Sequence, residues 1–86
     1  MPELCRFYGI IIRMYFGDHA PPHFHAFYGK HEALIDINSL AVLAGKLPPR
    51  AMGLVAEWAA LHRADLIEAW RRAENLESPG KIAPLD

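Results

Sequence analysis

The chain has almost no cysteine. Cys5 is the single one in 86 residues, so no disulfide can form within it. A reducing, cytoplasmic setting is therefore expected. Long apolar runs are missing too. None reaches the roughly 20 residues that a membrane-crossing helix needs, and the acidic start Met1-Pro2-Glu3-Leu4 is not that of a signal peptide. There is no internal repeat and no low-complexity tract. Charge of one sign is also lacking: nine Lys and Arg face ten Asp and Glu, for a net charge of −1 with the histidines neutral. That excludes the global basic field of a generic nucleic-acid binder and leaves room only for a local patch. With 52% hydrophobic and 22% charged residues the chain is too apolar to be disordered. It is expected to form a single domain, 1–86, with a modest core.

What is present begins with β-formers. Residues 7–16, Phe-Tyr-Gly-Ile-Ile-Ile-Arg-Met-Tyr-Phe, are β-branched and aromatic and read as one strand. Alternation puts Ile10, Ile12, Met14 and Phe16 on one face, toward the core, and Ile11, Arg13 and Tyr15 on the other. Gly17 to Pro22 is a loop, with Gly17-Asp18 as turn chemistry and Pro21-Pro22 as a stiff extended piece. A second strand covers 23–28. Gly29-Lys30 suits a tight hairpin, and a third strand covers 31–37, with Ala33, Ile35 and Ile37 opposite Glu32, Leu34 and Asp36. After the Asn38-Ser39 turn a short fourth strand covers 40–44, ended by Gly45-Lys46.

The period then changes. Pro48-Pro49 suits a helix start, and Met52, Val55, Ala59, His62, Leu66, Ala69 and Ala73 recur at three- and four-residue steps. The unbroken seam predicts one long helix over about residues 49–75 rather than two pieces broken near His62-Arg63-Ala64-Asp65. The fold expected is α+β: an antiparallel meander of about four strands covered on its apolar face by one long C-terminal helix. Ile82 and Leu85 in the irregular tail are expected to tuck an end onto the sheet or helix.

The densest chemistry lies in Asp18-His19-Ala20-Pro21-Pro22-His23-Phe24-His25, which holds three of the five histidines. His23 and His25, two apart in a strand, point to one side. Three readings of that pair follow. Two neighbouring imidazoles, each titrating near pH ~6.5, can share one proton and act as base and acid on a phosphodiester, with Arg13 or Lys30 balancing the charge that develops on phosphorus. The pair can also offer two neutral nitrogens to zinc, copper, iron or nickel, with Asp18 or His19 as a third ligand. The structural reading has the ring nitrogens bonded to backbone carbonyls or to Asp18, ordering the loop.

The other candidates are weaker. His62 sits on the seam of the helix, where a satisfied core histidine is the expected role and catalysis the alternative. Trp58 and Trp70 read as core or interface anchors. The helix mixes Arg50, Arg63, Arg71 and Arg72 with Glu57, Asp65, Glu68 and Glu74, which is a solvated face and not a basic groove. Cys5 has no neighbours that mark it as a nucleophile.

Four strings in the chain go together. They are Arg6-Phe7-Tyr8-Gly9-Ile10-Ile11-Ile12-Arg13-Met14-Tyr15-Phe16, Asp18-His19-x-Pro21-Pro22-His23-Phe24-His25, Trp58-Ala59-x-Leu61-His62 and Lys81-Ile82-x-Pro84-Leu85. Together they resemble domain-of-unknown-function family 4160, a family of small bacterial proteins. The resemblance implies a partner, a second small protein encoded alongside, in a pair of the toxin–antitoxin type with this chain as the candidate toxin. It carries over Asp18, His19, His23, His25 and His62, with Arg13 beside them, without assigning their roles. The function expected is therefore that of a toxin component acting by metal-independent RNA cleavage through the paired histidines. The alternatives are a non-catalytic binding module for the co-encoded protein and a metal-binding regulator. No membrane partner is expected, and self-association into a homo-oligomer is compatible with the aromatic strands.

Overall fold

In a computed structural model, which describes residues 2–86, Tyr8 and Gly9 both adopt positive φ, 48° and 81°. Two consecutive left-handed residues are the geometry that joins right-twisted antiparallel strands. They form the turn of a hairpin between β1 (Glu3–Phe7) and β2 (Ile10–Arg13), so β1 lies almost wholly before the expected first strand, 7–16, and that stretch holds only the end of β1, the turn and a β2 that stops at Arg13. The sequence signal was faint because Tyr, not Asn, Asp or Gly, holds the first turn position. A Cβ on Gly9 would also lie 3.3 Å from the Tyr28 ring.

The chain continues through β3 (His23–Tyr28), β4 (His31–Asp36) and β5 (Val42–Lys46) to α1 (Pro49–Leu61) and α2 (Arg63–Glu74). The strands form one antiparallel sheet in the order β1-β2-β3-β4-β5. The α+β meander is thus present, with five strands in place of four and two helices in place of one.

The fourth expected strand, 40–44, lies two residues later in the chain. Asp36 Oδ1 accepts from the amides of Asn38 and Ser39, both at 2.8 Å, and Leu40 takes φ 62°, so the turn consumes the residues up to Ala41. Gly45 does not end the strand but lies inside it. A Cβ there would collide with the Glu32 carbonyl, so only glycine permits that backbone approach.

Alternation holds across the sheet. Ile10, Ile12, Met14, Phe24, Ala26, Ala33, Ile35 and Ile37 are all fully buried on one face. Phe16 was expected with them but lies beyond β2 in a turn, 47% exposed. α1 covers that face with Ala51, Val55, Trp58 and Ala59. The Trp58 ring packs at 5.6 Å from Phe7 and 5.8 Å from Phe24, and its Nε1 donates to the Ala83 carbonyl at 2.8 Å. The tail is pinned beside β1, with the Ile82 amide donating to the Leu4 carbonyl at 2.9 Å. Burying side chains of this size contributes about 1.5–3 kcal/mol each.

The single long helix expected over 49–75 is interrupted at His62, whose φ of −121° and ψ of 26° are not helical. Periodicity did not reveal the break because the buried positions stay in step across it: Val55, Trp58 and Ala59 before, Leu66, Ala69, Trp70 and Ala73 after. A seam reports which residues are buried and carries no information on where the axis turns. What holds α2 on its own course is tertiary. Arg63 Nε donates to the Ile37 carbonyl just past β4 at 3.3 Å, Trp70 packs on His23 at the start of β3, and the Gly17 amide past β2 donates to the Ala73 carbonyl at 3.0 Å. α2 therefore runs across one end of the sheet, from β4 to β2, over the loop that carries Asp18. Among the described residues no helix is long and apolar enough to cross a membrane.

Candidate functional site: a carboxylate clamped by two strand histidines

His23 and His25 lie on the sheet face opposite α1, as alternation from the buried Phe24 requires. The loop after β2 folds back over them and brings in Asp18. One carboxylate oxygen, Asp18 Oδ2, lies 3.0 Å from His23 Nε2 and 3.3 Å from His25 Nε2. The second, Oδ1, accepts from the His19 amide at 2.8 Å. The other nitrogen of each ring is also engaged. His23 Nδ1 donates to the Pro21 carbonyl at 2.8 Å, and His25 Nδ1 lies 3.2 Å from Glu32 Oε2. All four ring nitrogens thus face oxygen atoms, and the contacts to Pro21 and Asp18 are those named in the structural reading.

The rings are nearly sealed. His23 is 5% and His25 8% exposed, against 22% for the Asp18 side chain, so the cluster meets solvent mainly through the carboxylate. Trp70 packs against His23 with ring centroids 5.2 Å apart, and Tyr15 meets His25 edge-on at 4.2 Å. The two imidazoles are 5.3 Å apart. Burial pushes the Asp18 carboxyl upward, but the His19 amide, and the His25 and His23 rings when their Nε2 atoms carry protons, outweigh it and hold the group below the usual carboxylate range.

Arg13 joins the site from β2, directly opposite His25 in the register. Its guanidinium lies over the Phe27 ring at 5.3 Å, and its Nε is buried without a hydrogen-bond partner among the described residues.

Of the residues singled out in the sequence, Asp18, His23, His25 and Arg13 come together here. His19 contributes its backbone amide, while its side chain is exposed. His62 stands apart. Its ring packs on Trp58 at 5.6 Å, and Nδ1 pairs with Asp65 at 3.4 Å, at the junction of the two helices. Lys30 is in the turn at the far end of β3, about 16 Å along the strand from His25. Burial pushes the Cys5 thiol up, the reverse of what activates a nucleophile.

Two members of the site were not picked out in the sequence. Glu32 was placed only as a residue opposite the apolar face of its strand. Its position next to His25 follows from the β3–β4 register, which sets Phe27 opposite Glu32 on that face. Trp70 was expected to anchor core or interface, and it is the break at His62 that carries it to His23.

No curated protein and no solved structure matches the chain. The family described as "Domain of unknown function (DUF4160)" matches residues 9–71, a span that includes Arg13, Asp18, His23, His25, Glu32 and Trp70, and the chain belongs to that family.

Proposed function

We propose that the chain is the toxin-like effector of a two-gene bacterial module and that it cleaves RNA at the centre formed by Asp18, His23 and His25. The observation that carries the reading is the convergence of two strand imidazoles on one carboxylate oxygen, with an arginine on the same sheet face. Phosphodiester cleavage needs a group to take a proton from the ribose hydroxyl and a group to return one to the leaving oxygen. It also needs a fixed positive charge for the phosphorane. Arg13 suits the last role because, among the described residues, its guanidinium makes no ion pair and its Nε has no acceptor. Substrate would approach from the side of Asp18, the most exposed of the three clustered side chains. A near-neutral net charge calls for such a local cation in place of a broad basic surface.

The test is expression of wild type and the His23→Ala/His25→Ala double variant in a bacterial host without the co-encoded partner. Wild type is expected to arrest growth and to degrade RNA in vitro. The double variant should do neither while keeping the wild-type circular dichroism spectrum. Full toxicity of the double variant removes the reading.

A different observation favours a non-catalytic binding module. β5 is an edge strand exposed along its whole length, with Val42 and Leu43 each nearly half exposed. An open edge of this kind accepts an added strand from a partner. Capture of the co-encoded protein that survives the double histidine substitution but fails in Leu43→Lys, together with no RNA cleavage by wild type, would favour this reading over the first.

A further inference from the structure

Counting protons in the cluster shows a shortfall. A neutral imidazole has one N–H, so two neutral rings bring two protons to four contacts with oxygen. The Pro21 carbonyl can only accept, which places a proton on His23 Nδ1. The contact with Glu32 asks the same of His25 Nδ1. Both Nε2 lone pairs are then aimed at Asp18 Oδ2, a carboxylate oxygen that has lone pairs of its own. Three lone-pair donors pointing at one spot repel one another unless something positive sits among them.

One added proton would join one Nε2 to Asp18 Oδ2 and leave the other lone pair facing the same oxygen, and only protons on both Nε2 atoms would satisfy every contact. They would also make two imidazolium ions 5.3 Å apart, each more than nine-tenths buried, beside the Arg13 guanidinium. Burying like charges together is costly, and one carboxylate oxygen shared by two rings is thin compensation. A single divalent ion resolves the same conflict with both rings neutral.

The distances fit that solution. Ions of this class bond imidazole nitrogen and carboxylate oxygen at about 2.0–2.2 Å, which sets neighbouring ligand atoms about 3.3 Å apart in a tetrahedron and about 3 Å apart in an octahedron. The two N···O separations here are 3.0 and 3.3 Å, and one potential ligand atom from each of the three residues lies within 4.8 Å of the others. The second layer also fits. Each ring offers Nε2 inward and ties Nδ1 to a carbonyl or carboxylate oxygen, the arrangement that fixes the tautomer and orientation of metal-ligating histidines.

We infer that Asp18, His23 and His25 form a binding site for one divalent first-row transition ion, held by Asp18 Oδ2 and the two Nε2 atoms. Two imidazoles and one carboxylate select against calcium and magnesium, which prefer all-oxygen shells. Three protein ligands leave at least one coordination position for water or substrate. The inference does not depend on the ribonuclease reading.

The experiment uses the full chain expressed without a histidine tag, stripped with chelator and dialysed. Zinc titrated by calorimetry is expected to bind at one equivalent per chain and to raise the melting temperature. Cobalt is expected to give visible d–d absorption that zinc bleaches. Glu32→Gln is an exposed change that leaves all three ligands in place, and it should weaken zinc binding about 10-fold or more by loosening His25. His23→Gln and His25→Gln should each weaken it further, whereas His31→Gln in the exposed hairpin should leave it unchanged.

Stripped, folded wild type that takes up no stoichiometric ion overturns the site. So does binding that persists in both ligand variants and is lost in His31→Gln. A third overturning result is nitrogen NMR showing both rings protonated on both nitrogens and unmoved by zinc. One equivalent of ion in a protein that cleaves no RNA supports this site and removes the ribonuclease reading. RNA cleavage by stripped protein that takes up no ion does the reverse.

Discussion

The two faces of the sheet are built on opposite principles. Toward α1, β2, β3 and β4 present Ile10, Ile12, Phe24, Ala26, Ala33 and Ile35, all fully buried, with Trp58 laid across them. On the other face the same three strands present Arg13, His25 and Glu32, joined by Asp18 from a loop. The first face is held by packing, which has no direction and spreads over many atoms. The second is held by a few polar contacts whose geometry must be right. A fold that leaves its stability to one face is free to use the other for a constellation that helps stability little. His23 and His25 are as buried as much of the core, yet burial there fixes the orientation of their nitrogens.

If the faces divide the work in this way, Trp58→Ala should cause the largest loss. It deletes the ring packed on Phe7 and Phe24, opens a cavity under α1 and leaves the Ala83 carbonyl without its donor. Truncations of this kind cost about 3–5 kcal/mol. Urea unfolding should show a large drop in midpoint, or no folded protein at all. A drop no larger than that of a surface change would mean that α1 is not the main cover of the sheet.

Asp18→Ala comes next. The variant loses the acceptor for the His19 amide and the carboxylate that both ring Nε2 atoms face. Only the His19 amide is an unconditional donor to Asp18, and one such bond to a carboxylate is worth about 1.5–3 kcal/mol net. Measured with chelator present, the loss in unfolding free energy should be about half that of Trp58→Ala or less. A loss equal to that of Trp58→Ala would break the comparison, because the polar cluster would then be a second core.

The same division explains what was legible in the sequence. Period-2 alternation named the core-facing residues of β2 and sorted those of β3 and β4 into two faces, because one face of each strand is apolar. That His23 and His25 share a side followed from the same alternation, while Arg13 and Asp18 stood only as candidates beside Lys30 and His19. Three features did not follow. The β1–β2 turn was hidden because Tyr8 is an unusual residue at positive φ. The break at His62 was hidden because it leaves the seam in phase. The sealing of the histidine rings was hidden because Trp70 and Tyr15 reach them from elements whose course is set by tertiary contacts. Alternation predicted that the two rings share a side, and nothing local to Pro21-Pro22-His23 specified that α2 would pass over them.

The smallest expected effect lies on neither face, and it sharpens the comparison by serving as a baseline. On the outer side of α2, Glu68 accepts from Arg71 at 2.6 and 3.0 Å and from Arg72 at 3.0 Å. Arg71 first and Arg72 second hold its carboxyl at about 2, against an ordinary value of 4.5. Because the folded-state value is the lower one, the pair stabilises the fold at pH above 4.5 and loses that contribution as pH falls through about 2. Glu68→Gln should therefore be slightly less stable than wild type at pH 6, and the gap should close as the pH is lowered toward 2. The side chains are about half exposed, so added salt should narrow the gap at pH 6 as well. Chemical denaturation of both proteins at several pH values and two ionic strengths measures it. A gap that widened toward low pH would mean that the carboxylate is not held by the arginines in solution, and any change at Asp18 would then have to be judged against a different surface background.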